Sequence, residues 1–241
     1  DELAKNTDLD VLNMLKEAAN NKDLKSSSDE GKAVNLYKTY LDTVSRANLG
    51  IKPIEADLAR VAAIKTIDDV NALIQASIFE GGTGLFGTYV SADALNSNKN
   101  VVYVYGTSTG LGERDYYLLK DAETTEIRKK YEKHVARMLK AVGNNEADAT
   151  AKAAKVLSFE TKISEAELTK VEMRDDRKTY NPMPVTKLQS IASNINWTAY
   201  FDKTGLKNID SVVVSQPKAL AKMSELLKTT PIEDLKAYLT W

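Results

Sequence analysis

The sequence predicts a mainly α-helical, bundle-like fold that contains one small antiparallel β-hairpin. Over most of the 241 residues, apolar side chains recur every three or four positions, which is the spacing of one face of a helix. The exception is a central segment with glycines at 81, 82, 84 and 87, followed by β-branched and aromatic runs that are typical of strands. A chain of this length buries enough surface to form a sizeable core.

Helices are predicted before the glycine-rich segment. The leucine spacing in residues 9–19 predicts an amphipathic first helix, and Asp29 is expected to cap a second one. A short helix is expected over residues 54–63. Thr66 and Asp69 resemble a capping box, in which each side chain accepts a hydrogen bond from the backbone of the other, so a further helix is expected to begin there.

The predicted hairpin pairs residues 86–91 with residues 101–105 across a polar connection at residues 93–100. The glycines before it match neither the dinucleotide-binding spacing nor the P-loop, and no Lys-Ser or Lys-Thr pair follows them. We therefore interpret these glycines as turn residues and not as a phosphate site.

Helices return after the hairpin. An apolar stripe predicts one helix over residues 127–142, and an alanine- and lysine-rich stretch predicts a long one over residues 146–168. Two prolines at 182 and 184 indicate a linker, and residues 212–214 indicate a short strand or extended piece. Thr230-Pro231-Ile232-Glu233 resembles a capping box that opens a last helix.

Composition excludes several classes of protein. The 33 basic and 34 acidic side chains are mixed along the chain, giving a net charge of −1 and no basic cluster of the kind that binds nucleic acid. The chain has no cysteine, so disulfides and thiolate zinc sites are excluded. No stretch reaches the roughly 20 apolar residues of a membrane span, and no secretory signal opens the chain. Residues 1–4 are typical of a helix interior, so we expect the sequence to begin partway through a longer protein.

The residues offer no catalytic or metal-binding constellation. A zinc hydrolase needs about three protein ligands, whereas His134 is the one histidine, with Lys130 and Met138 as its neighbours at helical spacing. A Ser-His-Asp site would need the same histidine and a Gly-x-Ser-x-Gly elbow, which is lacking. Glu165 and Glu167 are predicted on different helix faces, and the acids at 175–176 in a loop, so both pairs are interpreted as solvated charges.

Four segments resemble the neprilysin family of zinc metallopeptidases, which includes bacterial oligopeptidases of the O type. Residues 110–117, Gly-Leu-Gly-Glu-Arg-Asp-Tyr-Tyr, resemble the family's Gly-Leu-Pro-x-Arg-Asp-Tyr-Tyr segment, with Gly112 in place of proline and a looser turn expected. Residues 174–183 are similar to its Arg-Asp…Tyr-Asn-x-Met stretch, and residues 195–197 to its Ile-x-Trp segment. The order of elements from residue 212 to Trp241 also matches, so the resemblance covers nearly the whole chain.

The resemblance implies a fold of two mainly helical lobes around a chamber. One lobe, toward the C-terminus of such proteins, carries His-Glu-x-x-His and binds zinc, while the other caps the chamber and admits short peptides. Residues 1–241 would be the N-terminal cap region, and they include no His-Glu-x-x-His, so no catalytic or metal-binding residue is carried over. Zinc and most contacts with oligopeptide substrates would belong to a catalytic domain absent from this sequence. Ala4 stands where family members often place an arginine near the chamber.

Two residues are candidates for lining the substrate chamber. Arg114 would face the chamber and meet peptide carboxylates, or it would pair with Asp115 and fix the turn after the hairpin, with Tyr116 and Tyr117 packed beneath. Trp197 would line the chamber, or it would belong to the core. The sequence leaves both alternatives open.

Other functions remain as alternatives. The chain could be a stand-alone helical module that binds a peptide or protein and has no enzymatic activity, or an enzyme of another class that uses carboxylates. As part of a peptidase it is expected to be inactive alone and to self-associate through its exposed interdomain surface. The location of the parent is not fixed: a bacterial lipoprotein, periplasmic or secreted protein is favoured, with a cytoplasmic one as the alternative.

Overall fold

A computed structural model describes residues 2–106 and 109–241. The chain divides into two compact units, the first ending at Glu55 and the second running from Ala56 to Trp241. The first position of the sequence, which we expected to lie inside a helix, is outside the described residues.

The first unit consists of helices that bury little core. It contains α1 (Glu2–Asn20), α2 (Asp29–Leu41), α3 (Thr43–Leu49) and a 3-10 turn (Lys52–Ile54). The predicted cap of α2 is wrong by one residue, because Ser28 Oγ accepts the hydrogen bond from the Gly31 N–H at 3.1 Å. Among the described residues of this unit, only Gly31 and Val34 are buried. The predicted leucine stripe of α1 is therefore partly exposed.

Four helices of the second unit pack against α8 (Glu146–Ser164). They are α6 (Arg114–Leu118), α7 (Ala122–Ala141), α12 (Pro217–Thr229) and α13 (Ile232–Thr240). The capping box at Thr66 and Asp69 is confirmed. The one predicted before the last helix is wrong, because that helix begins after Pro231 without a side-chain cap. The other helices are α4 (Glu55–Ala62), α5 (Ile67–Ala76), α9 (Asp176–Thr179), α10 (Val185–Ile191) and α11 (Trp197–Thr204), with a 3-10 turn at Glu172–Arg174.

A four-stranded mixed sheet packs among these helices. Its strands are β1 (Phe86–Asp93), β2 (Asn96–Gly106), β3 (Asn181–Pro184) and β4 (Ser211–Val214), in the order β1-β2-β4-β3. β1 and β2 form the predicted antiparallel hairpin, β2 and β4 are parallel, and β3 and β4 are antiparallel.

Two predictions about the sheet need correction. The polar connection is shorter than expected, because residues 96–100 extend β2 although they are solvent-exposed. The proline-bounded linker is the strand β3, which tolerates Pro182 and Pro184 because it lies at the edge of the sheet. The mainly helical class with an antiparallel hairpin is confirmed, and the hairpin is half of a larger sheet.

The core lies between the inner face of the sheet and the helices. Valines at 102, 104, 212 and 214 point into it and are 4% exposed or less. Fully burying an aliphatic side chain contributes about 1.5–3 kcal/mol to the stability of the fold. The apolar periodicity of the strands and helices is therefore explained by packing and needs no functional explanation. None of the helices in the described ranges combines the length and apolar character that crossing a bilayer requires.

Candidate functional site

A cleft of about 380 Å³ lies beside the turn that precedes α6. It is formed by that turn, by the end of β2, and by the segments that follow α8 and β4. The residues that line it are Tyr105, Gly106, Gly112, Glu113, Arg114, Asp115, Glu167, Leu168, Lys170, Met173, Ser215 and Gln216. The candidate Arg114 is one of them, whereas Trp197 is not.

The turn is held tightly by its backbone. Gly112 adopts φ +80°, a conformation that proline cannot reach because its ring fixes φ near −65°. The Gly112 N–H donates to the Thr109 carbonyl at 2.8 Å and closes the turn. A Cβ atom at Gly110 would collide with the hydroxyl of Tyr131. The turn is therefore closed and packed where the sequence predicted a looser one.

Glu160 anchors this turn from the core. Its carboxylate is 1% exposed and accepts hydrogen bonds from the Gly110 N–H at 2.9 Å, from the Tyr117 hydroxyl at 3.0 Å and from the Tyr131 hydroxyl at 2.8 Å. Desolvation raises the pKa of Glu160, and the three hydrogen bonds oppose that rise. Tyr117 also accepts a hydrogen bond from the Leu111 N–H at 2.9 Å, so the turn, α6, α7 and α8 share one buried polar cluster.

Sequence reasoning missed Glu160, although its position gave a signal. It lies four residues after Val156 and three before Ile163, which are both buried on the inward face of α8. An acidic residue at such a position must be hydrogen-bonded or neutral, so the helical period alone marks it as unusual.

Arg114 lies at the first position of α6 and is partly buried, with 22% of its side chain exposed. Its Nε donates to the Ser164 carbonyl at 3.3 Å, while its Nη1 lies 3.8 Å from Asp115 Oδ1. The predicted ion pair with Asp115 is thus long and one-sided. Because Nε is fixed to α8, the guanidinium is held in place at the wall of the cleft.

Glu167 shares the cleft with Arg114 and was also missed. Burial raises the pKa of Glu167, and the nearby charge of Arg114 opposes the rise to a smaller extent. Glu165, which the sequence grouped with it, is exposed as expected. Helical spacing could not place Glu167, because α8 ends at Ser164 and the chain changes direction there.

The remaining charges of the cleft lie at its rim. Lys170 Nζ donates to Glu113 at 2.7 Å, and this pair joins the two sides of the opening. Together with Arg114, Asp115 and Glu167, the cleft carries charges of both signs. Such a site can bind a charged group, and its lining residues include no nucleophile paired with a base.

His134 lies outside the cleft on an exposed part of α7. Its Nδ1 is 2.8 Å from Arg137 Nη2, and its ring meets the edge of Trp241 at a centroid distance of 5.5 Å. Within residues 2–106 and 109–241, no three histidine, cysteine or acidic side chains are grouped so that they could hold a metal. The donor set of the described chain does not fit zinc, and no step through zinc is derived from it.

Trp197 belongs to the core. It is 0% exposed, its Nε1 donates to the Ala192 carbonyl at 3.1 Å, and its ring lies 4.8 Å from that of Phe86. No surface of the indole is left to contact a peptide. Of the two alternatives for Trp197, its burial favours the core, and Arg114 is the candidate that lines the cleft.

Comparison with known proteins places the chain in a family. The whole chain, residues 1–241, matches the model of peptidase family M13. Endothelin-converting enzyme 1 from Cavia porcellus is 31% identical over 161 residues, covering 65% of this chain and 21% of that protein. Neprilysin-3 from Drosophila melanogaster is 29% identical over 168 residues with the same coverage.

The fold is similar to that of solved family structures. The zinc metalloprotease Zmp1 of Mycobacterium tuberculosis matches 100% of this chain and 36% of its own, with a TM-score of 0.84 and 23% identity. PepO from Lactobacillus rhamnosis matches 99% of this chain and 37% of its own, with a TM-score of 0.80 and 19% identity. The chain spans 21% of the length of its curated relatives, and the resemblance seen in the sequence is confirmed. This chain belongs to peptidase family M13.

Proposed function

We propose that this chain is the N-terminal cap region of a zinc metalloendopeptidase, where it helps to enclose oligopeptides and to exclude larger substrates, and that it does not cleave peptides alone. The observation that supports this most is the match of all 241 residues to peptidase family M13.

The physical role of such a region is steric and dielectric. A rigid wall of packed helices limits substrates by their cross-section. Enclosure also removes water, which strengthens electrostatic interactions at a reacting peptide carbonyl. Both effects require shape and packing more than reactive side chains, and α8 with its surrounding helices supplies them.

Arg114 is the residue that we propose meets the peptide carboxylate. Arginine binds a carboxylate through two parallel N–H groups, and Nε of Arg114 is already engaged with Ser164 while Nη1 is only weakly paired with Asp115. A free C-terminal carboxylate would therefore be the natural partner for the outer edge of the guanidinium.

Binding of two peptides of one sequence, with a free or an amidated C-terminus, tests this role. We expect the chain to prefer the free acid by about 3- to 30-fold and Arg114→Met to lose that preference, since a charge-assisted hydrogen bond contributes about 1.5–3 kcal/mol and the site is partly exposed. The exposed Arg177 provides the control variant Arg177→Met, which should keep the preference. Equal binding of both peptides by the unchanged chain would refute it.

The gene beyond the codon for Trp241 tests the parent function. A reading frame that continues into His-Glu-x-x-His supports the peptidase, whereas an immediate stop favours the stand-alone binding module. The cap role further predicts that the continued protein cleaves a short peptide but not the same sequence inside a folded domain. We propose an extracytoplasmic location for the parent, which cell fractionation with an antibody to this chain would check.

A further inference from the structure

The hairpin strand β1 forms an unprotected edge of the sheet. β1 is the first strand in the order, pairs with β2 and with no other described strand, and has exposed residues at 89–92. Proteins usually protect such edges with proline, lysine or a covering segment. β1 has none of these residues, and its first charged side chain is Asp93 at the far end, where a register shift also interrupts the pairing.

The register identifies which backbone groups face outward. The Val104 carbonyl accepts from the Ser215 N–H at 2.9 Å, so Val104 directs its backbone groups toward β4. Backbone groups alternate in direction along a strand, so Tyr103 and Tyr105 direct theirs toward β1. Their partners there are Tyr89 and Gly87.

The backbone groups of the β1 residues that alternate with those partners must therefore point the other way. Thr88 and Val90 direct their N–H and C=O groups away from β2, and in the described part of the chain no other strand pairs with them. The edge thus presents alternating donors and acceptors at strand spacing. An extended backbone is the chemical group that satisfies such a row.

Tyr89 and Val90 place largely apolar side chains on the two faces of the sheet beside this edge. Tyr89 and Tyr103 stack on the outer face with centroids 5.0 Å apart and planes 8° from parallel. The Tyr103 hydroxyl donates to the Ala92 carbonyl at 3.2 Å, which fixes the ring. Tyr89 is 51% exposed on the outer face, and Val90 is 53% exposed on the opposite one. An added strand would find an apolar contact on each side.

The edge is continuous with the charged cleft. Tyr105 lines the cleft and also a cavity of about 210 Å³ at the start of β1. Its ring lies over Gly87, where a Cβ atom would collide with it. Tyr89, Tyr103 and Tyr105 therefore form a row from the exposed edge to the wall of the cleft that carries Arg114. The positive charge of Arg114 complements a peptide carboxylate.

We propose that the edge of β1 binds an extended oligopeptide as an added strand, with Tyr89 and Val90 contacting its side chains. This inference rests on the proposed function, because it names where the enclosed peptide is held. A second copy of the chain fits less well. The free edge of residues 88–92 is about 17 Å long, and pairing two such edges buries far less than the roughly 1,200 Å² of a stable interface.

Proline at Val90 tests the proposal. The outward N–H of Val90 makes no ladder bond, so Val90→Pro removes the donor and keeps the pairing with β2. The matched control Val90→Thr keeps the N–H and the β-branched shape. The probe is a soluble peptide of about nine residues that alternates threonine and valine, with a lysine at each end. Binding is followed by calorimetry and by the backbone amide shifts of Thr88 and Val90.

We expect Val90→Pro to weaken binding about ten-fold or more and Val90→Thr to change it by less than about two-fold. If Val90→Pro unfolds the chain, peptides N-methylated on alternate amides replace it. Methylation on one edge of the peptide should then abolish binding by the unchanged chain, and methylation on the other edge should not.

Equal binding by the proline variant, equal binding of both methylated peptides, or no binding by the unchanged chain would overturn the inference. Failure of the proposed function would be seen elsewhere. It would show as a gene that lacks His-Glu-x-x-His or as a chain that does not prefer the free acid, and neither result depends on strand pairing.

Discussion

Replacing Glu160 by alanine should destabilise the second unit strongly. The substitution leaves three donors without their acceptor: the partly buried Gly110 N–H and the buried hydroxyls of Tyr117 and Tyr131. Each unsatisfied donor costs about 1–3 kcal/mol. Part of this is offset, because a partly desolvated carboxylate is removed and the vacated space can admit a water molecule. We therefore expect a loss of about 3–5 kcal/mol in the free energy of unfolding.

Chemical denaturation followed by circular dichroism measures this loss. Glu160→Gln is the conservative variant and should cost about 1–2 kcal/mol, because it keeps the volume but turns one acceptor into a donor. Glu126→Ala, at an exposed position of α7, is the control and should lie within about 0.5 kcal/mol of the unchanged chain. If the free energy of unfolding of Glu160→Ala equals that of this control, the buried cluster does not anchor the turn.

Three further predictions follow from the same cluster and from the first unit. The raised pKa of Glu160 means that the folded chain favours its neutral form more than the unfolded chain does. The stability that this difference contributes is present below the usual pKa near 4.5 and is lost as pH rises toward the folded value. Denaturation at several pH values should show this fall, and a curve unchanged in Glu160→Gln would contradict it. Gly110→Ala should cost about 1–3 kcal/mol, since its Cβ would meet the Tyr131 hydroxyl, and a melting temperature equal to that of the unchanged chain would show that the turn can move. The exposed Leu3 and Met14 of α1 predict self-association of the isolated chain. Sedimentation should detect oligomers of the unchanged chain and fewer of them in a Leu3→Gln, Met14→Gln double variant. A monomer at every concentration of the unchanged chain would refute this prediction.

The helical elements were largely predictable because burial imposes a period on the sequence. The capping box at Thr66 and Asp69 and the apolar stripe of α7 are local signals, and the structure contains both. The strand β3 was not predictable in this way. Its two prolines are typical of a linker, and only its position at the edge of the sheet, set by distant residues of β4, makes a strand there acceptable.

The candidate site was predictable only in part. Arg114 was found through a family segment, and the structure holds it at the wall of the cleft. The burial of Glu160 and Glu167 depends on residues that are distant in sequence and on where α8 ends, so helical spacing alone did not predict it. For Trp197 the sequence left both alternatives open, because an aromatic residue in a family segment can mark either the core or a binding surface, and only burial separates the two.

The measurement that tests the central claim most directly is peptide cleavage by the purified 241-residue chain. A quenched fluorescent oligopeptide is incubated with the chain and added zinc, with and without phenanthroline. We predict no cleavage above the rate in buffer, since the described residues contain no cluster of three or more histidine, cysteine or acidic side chains that could hold the metal. Phenanthroline-sensitive cleavage that co-elutes with the folded chain would contradict a non-catalytic role for this region.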